Sequence, residues 1–418
     1  MKPRIGILSL GCPRNLVDSE IILSRLSGKG YKIVDIDKAQ VAVVNTCAFI
    51  KEAKQESIDT ILELADLKKQ GKIQKLIVYG CLSQRYKDAL VRELPEVDAF
   101  LGRVSPESKI TGYSLTPNHY AYLKVCEGCI NQCSFCIIPK IKGKLVSLSV
   151  ASILQKVEEF NKQGLSELNI IGQDITGFGL DRGMHSGLPN LLKKVVRKAR
   201  RIGWIRLLYL NPERLSDELL KIIRDEEKIC KYIDLPVQHI SKRILRLMHR
   251  GASQDKIFKI IDRARKIIPG VGLRTSIIVG FPGETEKDFK ELLKFIKDTK
   301  FERLGAFRYS REEGTKAYHL PRQVPESVKS ERFNQVMSSQ QAVSQEANQR
   351  FIGKKLRVLI DEPSGGCYIG RSQFDAPEVD GVVYVHSKSK HKSGDFVNLR
   401  VTDTLEYDLV GEVDNEFS

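Results

Sequence analysis

The amino-acid sequence predicts a multidomain α/β protein with an N-terminal open parallel α/β sheet, a central partial (β/α)6 barrel and a small C-terminal β-barrel. Three observations predict this division. Short runs rich in Ile and Val alternate with amphipathic stretches over the first hundred residues, and six further strand–helix repeats follow. The last part has little helical periodicity and many short apolar runs broken by glycine. At 418 residues the chain is also too long for one typical domain.

The N-terminal domain is expected to span residues 1–110. Its apolar runs are short and rich in Ile and Val, as buried parallel strands are. These runs lie at residues 4–10, 41–45 and 75–79, and helical patterns lie between them at residues 16–26 and 50–67. Strands separated by helices of this length favour βαβ units and a parallel sheet. Residues 105–120, with two prolines and scattered polar side chains, are expected to form a linker.

The central domain is expected to span residues 115–347. Its strand candidates lie at residues 121–126, 167–172, 205–210, 232–236, 272–279 and 303–309. Helical patterns separate these candidates, as at residues 151–162 and 255–266. Six repeats favour an open or incomplete barrel over a full eight-fold one. Residues 325–349 then form a polar helical pattern that is expected to lead outward.

The C-terminal domain, residues 350–418, is acidic, whereas the rest of the chain is basic. From residue 352 onward there are 8 Lys/Arg and 12 Asp/Glu, a net charge of −4, and the remaining residues carry 60 and 40, a net charge of +20. The overall net charge of +16 indicates an anionic partner, with nucleic acid or the ribosome first in line. A soluble basic enzyme without such a partner explains the charge equally well.

Hydropathy and cysteine content narrow the class of protein. No run of about 18 apolar residues is present, so neither a membrane span nor a membrane partner is expected. The first apolar stretch is too short for a secretory signal, and a cytoplasmic location is expected. In reducing cytosol the nine cysteines are not expected to form a disulfide framework. Metal ligation or catalysis is therefore the default interpretation of any cysteine cluster.

One such cluster is the segment Cys129-Ile-Asn-Gln-Cys133-Ser-Phe-Cys136. Three thiolates within eight residues can hold one face of a cubane 4Fe–4S cluster. Because the loop supplies only three ligands, the fourth iron stays open to a substrate such as S-adenosylmethionine. A zinc site is the alternative, with Cys126 as a fourth ligand.

Three further cysteines, Cys12, Cys47 and Cys81, each follow a predicted strand by one or two residues. The carboxyl ends of parallel strands face a common crevice, so these side chains are expected to converge. The alternative is that each is a small buried apolar residue. Three equivalent positions favour a second 4Fe–4S cluster over that coincidence, again with one iron open, here to an exogenous sulfur species.

The Cys129 loop resembles the signature of radical S-adenosylmethionine enzymes, and two other segments support the resemblance. Gly172-Gln173-Asp174 ends the second predicted barrel strand, where this family holds the methionine amino group. The stretch from Ser276 to Glu284 resembles the one that lies along the adenine. The resemblance implies that the cofactor-binding residues are Gln173, Asp174, Ser276, Gly280 and Glu284.

With the second triplet, the whole chain resembles the radical S-adenosylmethionine methylthiotransferases, which have an N-terminal cluster domain, a central radical domain and a C-terminal TRAM domain. Residues 10–20, 45–50, 80–85 and 370–381 look like the branch that modifies ribosomal protein S-twelve. The resemblance implies methylthiolation of an aspartate β-carbon in that protein, either free or in the small subunit. S-adenosylmethionine would serve as radical source and methyl donor, together with an electron donor and a sulfur source. Cys126, Cys230 and Cys367 fit neither motif and are assigned no cluster role.

Two rival functions and one side-chain pair stay open. A tRNA methylthiotransferase would have the same architecture, and a non-enzymatic RNA-binding module would fit the basic charge but leave six cysteines unexplained. The acidic C-terminal domain disfavours tRNA and favours docking onto a basic ribosomal protein, although it could instead merely cap the barrel. Two groups of residues in the C-terminal domain could still form a basic patch, namely Lys354, Lys355 and Arg357, or Lys388, Lys390 and Lys392.

Asp234 and His239 lie at a predicted strand end, where they could face the active site or serve as structural hydrogen-bond partners.

Overall fold

The computed structural model describes residues 2–104 and 113–414. The N-terminal part contains β1 (Arg4–Ser9), α1 (Pro13–Gly28), β2 (Lys32–Ile33), a 3-10 turn (Ile36–Lys38), β3 (Val41–Thr46), α2 (Lys51–Lys69), β4 (Lys75–Gly80), α3 (Cys81–Glu93) and β5 (Ala99–Leu101). Its strands form one parallel sheet in the order β2-β1-β3-β4-β5. The predicted open parallel sheet is confirmed, and the three predicted strands are its centre. The two edge strands, of two and three residues, are too short to leave a hydrophobic pattern.

The predicted linker, residues 105–120, can be placed only in part. Residues 105–112 lie outside the described residues, and the chain enters the central domain at Tyr120. The central part contains β6 (Tyr120–Lys124), β7 (Cys126–Glu127), α4 (Ile138–Ile141), β8 (Val146–Ser147), α5 (Val150–Gln163), β9 (Glu167–Ile171), 3-10 turns (Ile175–Gly177 and Leu180–Arg182), α6 (Gly187–Lys198), β10 (Trp204–Leu207), α7 (Asp217–Asp225), β11 (Tyr232–Asp234), α8 (Lys242–Leu247), α9 (Gln254–Ile267), β12 (Gly272–Val279), α10 (Glu286–Thr299), β13 (Arg303–Arg308), a 3-10 turn (Lys316–His319) and α11 (Glu326–Gln349).

Six parallel strands form the central domain as two halves, β6-β9-β10 and β11-β12-β13. The halves join between β10 and β11, where the Cys230 amide donates to the Ile205 carbonyl and the Leu210 amide donates to the Asp234 carbonyl, both at 3.0 Å. β6 and β13 are the outer strands, so the barrel is open, as predicted. The helices pack on one face of these strands in the largest hydrophobic core of the molecule.

Helix α11 corrects one expectation. It was expected to lead outward because it is polar, yet it packs along β13 and α10. Gln340 and Ser344 are fully buried and donate to the carbonyls of Phe301 and Glu302, at 2.8 and 3.1 Å. A helix that meets backbone carbonyls needs amide and hydroxyl groups on its buried face, so polarity did not mean exposure here.

The C-terminal part is a closed five-stranded barrel, as predicted. It contains β14 (Lys355–Ser364), β15 (Cys367–Ser372), β16 (Val383–His386), β17 (Phe396–Thr404) and β18 (Leu409–Val413). The order is β14-β15-β16-β18-β17, with β17 pairing back onto β14. Closure leaves no unpaired strand edge, and the interior holds a compact set of Val, Leu, Ile and Phe side chains.

This small barrel closes the amino end of the central barrel, because the first residue of every central strand contacts it. The contacts, from β6 to β13, are Tyr120–Glu378, Glu167–Arg371, Trp204–Phe396, Tyr232–Asp380, Gly272–Phe374 and Arg303–Asp375. Four of these six partners belong to the segment directly after β15, namely Phe374, Asp375, Glu378 and Asp380. The segment 370–381, noted in the sequence as a motif, therefore closes the amino end of the central barrel. We call this segment the plug.

Buried ion pairs hold this plug. Arg371 donates to Glu167 at 2.6 Å and to Asp361 at 2.8 Å, and Arg206 donates to the other oxygen of Glu167 at 2.8 Å. The side chains of Arg371 and Glu167 are 3% and 0% exposed. Removing one partner of such a pair leaves an uncompensated buried charge, which is strongly destabilising.

We expect Arg371→Met to lower the free energy of unfolding by about 3–5 kcal/mol, because Glu167 and Asp361 would lose a buried partner. Arg400→Met is the matched control, since Arg400 is 51% exposed and pairs with Asp414 at 3.7 Å on the same small barrel. The control should change stability very little. The thermal unfolding midpoints of the full chain measure both, and equal midpoints would contradict the structural role of Arg371.

Candidate active site

The first cysteine triplet lies where β1, β3 and β4 end, and these three strands are neighbours in the sheet. Cys47 lies so close to the turn before Cys12 that a β-carbon on Gly11 would be 2.8 Å from the Cys47 β-carbon. Gly11 has φ +86°, so glycine is required there for both conformation and space. Cys81 begins α3 directly after β4. The sequence prediction that these cysteines converge agrees with this geometry.

Asn15, which the sequence reasoning missed, ties the triplet together. Its amide nitrogen donates to the carbonyls of Leu10 and Thr46, at 3.0 and 3.2 Å, so it joins the ends of β1 and β3. Its side-chain oxygen lies 3.7 Å from the Cys81 Sγ. The signal in the sequence was an asparagine three residues after the first cysteine, at the start of a helix.

The second triplet occupies the loop between β7 and α4. The Ser134 amide donates at 2.9 Å to the carbonyl of Met248, the residue that follows α8, and this anchors the middle of the loop at the end of that helix. Asn131 donates to the Cys129 sulfur from its backbone and its side chain, at 3.4 and 3.3 Å. Donors of this kind stabilise thiolates in iron–sulfur sites and tune the metal.

The charge environment of the six thiols differs from one to the next. Burial raises the pKa of Cys81 and of Cys136 to about 12. Burial also opposes ionisation of Cys12, but the adjacent Arg14, through its charge and its hydrogen bond, lowers the pKa of that thiol. A bound metal deprotonates a thiol outright, so the raised pKa values do not exclude ligation.

A buried group of four charges joins the segments that carry the two triplets. Asp18 of α1 pairs with Lys124 of β6 and with Lys142, the latter at 2.8 Å. Glu127, just before the Cys129 loop, pairs with the same two lysines at 2.6 and 3.5 Å. All four side chains are at most 5% exposed, so the group is closed to water. We call Asp18, Lys124, Glu127 and Lys142 the charge tetrad.

Gln173 and Asp174, predicted to bind cofactor, lie beside the Cys129 loop. Gln173 donates to Glu127 of the tetrad at 2.9 Å. Asp174 accepts a 2.7 Å hydrogen bond from Asn131 and pairs with Arg214. The structure therefore brings this motif next to the second triplet. Asn131 and Arg214 were not found by sequence reasoning because neither belongs to a recognised motif.

The other predicted cofactor-binding residues form a separate group after β12. Ser276 lies within β12, and its carbonyl accepts from the Gln238 amide at 2.8 Å. The Gly280 amide donates to the carboxylate of Glu284 at 2.9 Å. Glu284 is buried and also pairs with Arg332 at 2.7 Å. Its carboxylate thus holds the turn around Gly280.

Asp234 and His239 have structural partners. Asp234 is buried, accepts from the Tyr209 amide at 2.8 Å and pairs with Arg274 at 3.4 Å. His239 is fully buried, and its Nδ1 accepts from the Ser241 amide at 3.0 Å. Of the two interpretations left open for this pair, these contacts favour structural hydrogen bonding.

Of the three remaining cysteines, Cys126 has its sulfur packed against backbone, and Cys230 and Cys367 lie apart from the triplets. Cys126 is buried with its sulfur 3.8 Å from the Asp174 carbonyl, and a β-carbon on Gly172 would lie 2.6 Å from it. Cys230 is buried near the amino end of the central barrel, and Cys367 is the first residue of β15 in the small barrel. Across residues 2–104 and 113–414, no three His, Cys, Asp or Glu side chains are grouped as ligands of a single metal ion. A cubane differs, since each thiolate binds a different iron.

Three known protein families match successive parts of the chain. Residues 123–296 match the radical SAM superfamily, residues 4–102 match uncharacterized protein family UPF0004, and residues 352–413 match the TRAM domain. These matches fall inside the three domains expected from the sequence.

Curated relatives match over the full length. The ribosomal protein uS12 methylthiotransferase RimO of a Thermoanaerobacter species is 45% identical, over 98% of this chain and 99% of the relative. The enzymes of that name from Caldanaerobacter subterraneus and Geotalea uraniireducens are 46% and 44% identical, over 98% and 99% of this chain and 99% of each relative. The chain belongs to this methylthiotransferase family. The predicted family and enzyme class, a radical S-adenosylmethionine methylthiotransferase, are confirmed, and so are the predicted cofactors, S-adenosylmethionine and 4Fe–4S clusters.

Solved structures support the fold. A radical S-adenosylmethionine methyltransferase, TsrM, from Kitasatospora setae aligns with a TM-score of 0.51 at 13% identity, over 74% of this chain and 75% of that one. The cobalamin-dependent radical enzyme OxsB aligns with the same TM-score at 12% identity, over 82% of this chain and 56% of that one. At such identities the likeness concerns the fold alone.

The residues of the crevice fit two clusters. Each triplet offers three thiols and no fourth cysteine at the same loop, and each has nitrogen donors directed at sulfur, namely Arg14 on Cys12, Asn131 on Cys129 and Arg250 on Cys133. Positive groups around thiols suit a cluster whose thiolates carry negative charge.

In protein freed of iron by a chelator, we expect iodoacetamide near neutral pH to alkylate Cys12 severalfold faster than Cys81 or Cys136. The thiolate is the reactive form, the pKa of Cys12 is lowered beside Arg14, and the other two have pKa values of about 12. Arg14→Gln should slow alkylation of Cys12 and leave Cys136 slow. Peptide mass spectrometry over a time course measures the rates, and equal rates for Cys12 and Cys81 would contradict the expectation.

Proposed function

We propose that this protein methylthiolates the β-carbon of an aspartate in ribosomal protein uS12, with S-adenosylmethionine as radical source and methyl donor. The observation that carries the proposal is the placement of two cysteine triplets on either side of one charge tetrad, in a chain of this family. A single cluster site would suffice for radical formation alone. Two sites joined by one buried ion-pair group suit a reaction that both opens a C–H bond and delivers sulfur to the same carbon.

We assign one 4Fe–4S cluster to each triplet. Cys129, Cys133 and Cys136 would hold the cluster that binds S-adenosylmethionine, and Cys12, Cys47 and Cys81 would hold the cluster that binds sulfur. When bound, these groups supply the reductive cleavage of S-adenosylmethionine, the hydrogen abstraction that no acid–base residue could achieve at an unactivated carbon, and the sulfur.

The protein's own residues position and charge-match these groups. Asp174 presents a carboxylate for the methionine amino group, while Arg214 beside it offers a cation for the methionine carboxylate. Gln173 is oriented by Glu127, so the motif is fixed relative to the tetrad. Ser276 and Gly280 are assigned to the adenine side, and Glu284 acts through Gly280, since its carboxylate holds that turn.

The C-terminal tail, residues 352–418, needs a different role from the docking onto a basic protein that its negative net charge suggested. Five charged residues of the tail contact the central barrel or the segments that close its amino end. They are Asp361, Arg371, Asp375, Glu378 and Asp380. Without these five, the tail has seven basic and eight acidic residues, which is close to balance. Its acidic excess therefore faces inward, and selection of a basic protein over tRNA rests on family membership. Capping the barrel is the role that we propose for the tail.

Several finer points are proposals as well. We place the domain boundaries at residues 1–110, 115–347 and 350–418, and the activity in the cytoplasm, where ribosomal protein is found. None of the helices within the described residues is long and apolar enough to cross a membrane. The substrate would be uS12, either free or in the small subunit, and a separate electron donor and sulfur source would be required.

Replacing one triplet at a time separates the two assignments. After anaerobic reconstitution, the Cys12/Cys47/Cys81→Ala variant should keep about half of the iron and still form 5′-deoxyadenosine under dithionite, because the radical cluster remains. The Cys129/Cys133/Cys136→Ala variant should also keep about half of the iron but form no 5′-deoxyadenosine. Cys126→Ala and Cys230→Ala are the controls and should keep all of the iron. Unchanged iron in either triple variant would refute that cluster.

The substrate is tested by offering the reconstituted enzyme purified uS12, small ribosomal subunits and tRNA in parallel. We expect a methylthio mass increase on one aspartate of uS12 and no methylthio nucleoside in tRNA. uS12 with that aspartate replaced by Ala is the control and should stay unmodified. Methylthiolation of tRNA at a comparable rate would favour the alternative activity.

A further inference from the structure

Arg14 lies between the two cysteine triplets, and its contacts extend beyond the Cys12 thiol. Its Nε is 3.4 Å from the Cys12 sulfur, and its Nη1 donates to the Gly172 carbonyl at 3.1 Å. The guanidinium carbon lies 4.4 Å from the centre of the Tyr209 ring. One side chain thus contacts the first triplet, the strand end that leads to Asp174, and a residue of the central barrel.

Arg14 forms no ion pair with a carboxylate of the described residues, and Glu127 attracts its charge only from a greater distance. Lys124 and Lys142 share two carboxylates within the tetrad, and Arg214 pairs with Asp174. Within residues 2–104 and 113–414, no carboxylate lies within 4.0 Å of the Arg14 guanidinium. A guanidinium stays protonated, and a partly buried one requires a compensating anion. The crevice beside Cys12 therefore carries an excess positive charge.

The hydrogen-bonding capacity of Arg14 is also incompletely used. A guanidinium has five N–H donors in a planar fork, and two of those of Arg14 have partners among the residues that the structure describes. The ring of Tyr209 packs against the guanidinium, and Tyr209 itself, two residues after β10, has φ +64°. A rare conformation for a non-glycine residue persists only where the surroundings impose it. The remaining donors are thus held in a fixed direction next to Cys12.

We propose that Arg14 is a positioning residue that binds an anionic sulfur species, such as hydrosulfide, at the open iron of the cluster on Cys12, Cys47 and Cys81. The inference rests on the proposed function, which requires sulfur at that cluster. Hydrosulfide is an anion at neutral pH, and a fixed guanidinium offers it both charge and directed donors. Because Arg14 also bonds the Gly172 carbonyl, the sulfur is held on the side that faces the S-adenosylmethionine site.

The test uses full-length protein with Cys129, Cys133 and Cys136 replaced by Ala, so that only the first cluster is present. Sodium hydrosulfide is titrated into the reduced protein, and the electron paramagnetic resonance spectrum reports ligand binding to the cluster. Arg14→Gln should weaken the apparent affinity about tenfold or more, the loss expected for a charge-assisted hydrogen bond. Arg14→Lys should restore most of the affinity because it restores the charge. Neutral imidazole is the control ligand and should bind equally to all variants.

Arg400→Gln is the control protein, since Arg400 is 51% exposed on the small barrel, at the opposite end of the central barrel from the triplets. It should bind hydrosulfide as the parent does. Should Arg14→Gln fail to retain iron, Tyr209→Leu decides, because loss of the ring frees the guanidinium while keeping its charge, and severalfold weaker binding is expected. Unchanged hydrosulfide affinity in Arg14→Gln or Tyr209→Leu would overturn the role of Arg14 alone. A parent protein without any cluster would overturn the proposed function as well.

Discussion

The charge tetrad is the constraint on which the candidate site depends. Asp18 comes from the N-terminal domain, whereas Lys124, Glu127 and Lys142 come from the central one, so the buried charges balance only when the two domains are docked. Removal of any one member would leave an unpaired charge in the interior, a defect of about 3–5 kcal/mol in comparable buried pairs. The pairing also depends on strand register. Lys124 meets Asp18 only while β6 keeps its register with β9, because a one-residue slip of β6 would turn Lys124 toward the helix layer. Both cysteine triplets flank this one contact, and their mutual placement follows from it.

The interior of the central barrel contains polar side chains, and the small barrel supplies their partners at the amino end. Alternate residues of each strand pack under the helices, so the intervening side chains, such as Tyr122, Arg206 and Arg274, face the interior. An open barrel with such side chains requires partners at its amino end. The plug supplies them through Asp375, Glu378 and Asp380. The C-terminal domain is thus a structural part of the central fold, although its sequence alone describes an independent β-barrel.

Sequence reasoning identified what depends on local pattern. Strands β1, β3, β4 and all six of the central barrel follow from hydrophobic runs, and the two triplets follow from spacing and strand ends. It did not identify what depends on pairing between distant segments: the tetrad, the Asn15 bridge and Arg214 on Asp174. The net charge of the tail misled for the same reason, since a sum over residues does not say which way each carboxylate faces. α11 misled because amide side chains that meet buried carbonyls look like surface residues in a sequence.

The two ends of the central barrel therefore differ in solvent access, and this difference affects how a protein substrate could reach the cysteines. The amino end is closed by ion pairs that are almost inaccessible to solvent, and the small barrel that provides them lies across the central barrel from the triplets. At the other end, Cys12 and the Cys129 loop are partly exposed, and two large apolar side chains beside the triplets, Phe49 and Ile130, are 39% and 48% exposed. On this side the cysteines are open to a substrate loop. Exposed apolar residues at the mouth of a charged crevice suit a bound peptide segment, because they can exclude water once it is seated. In the proposed activity, recognition of the protein substrate therefore belongs to the N-terminal and central domains around the crevice.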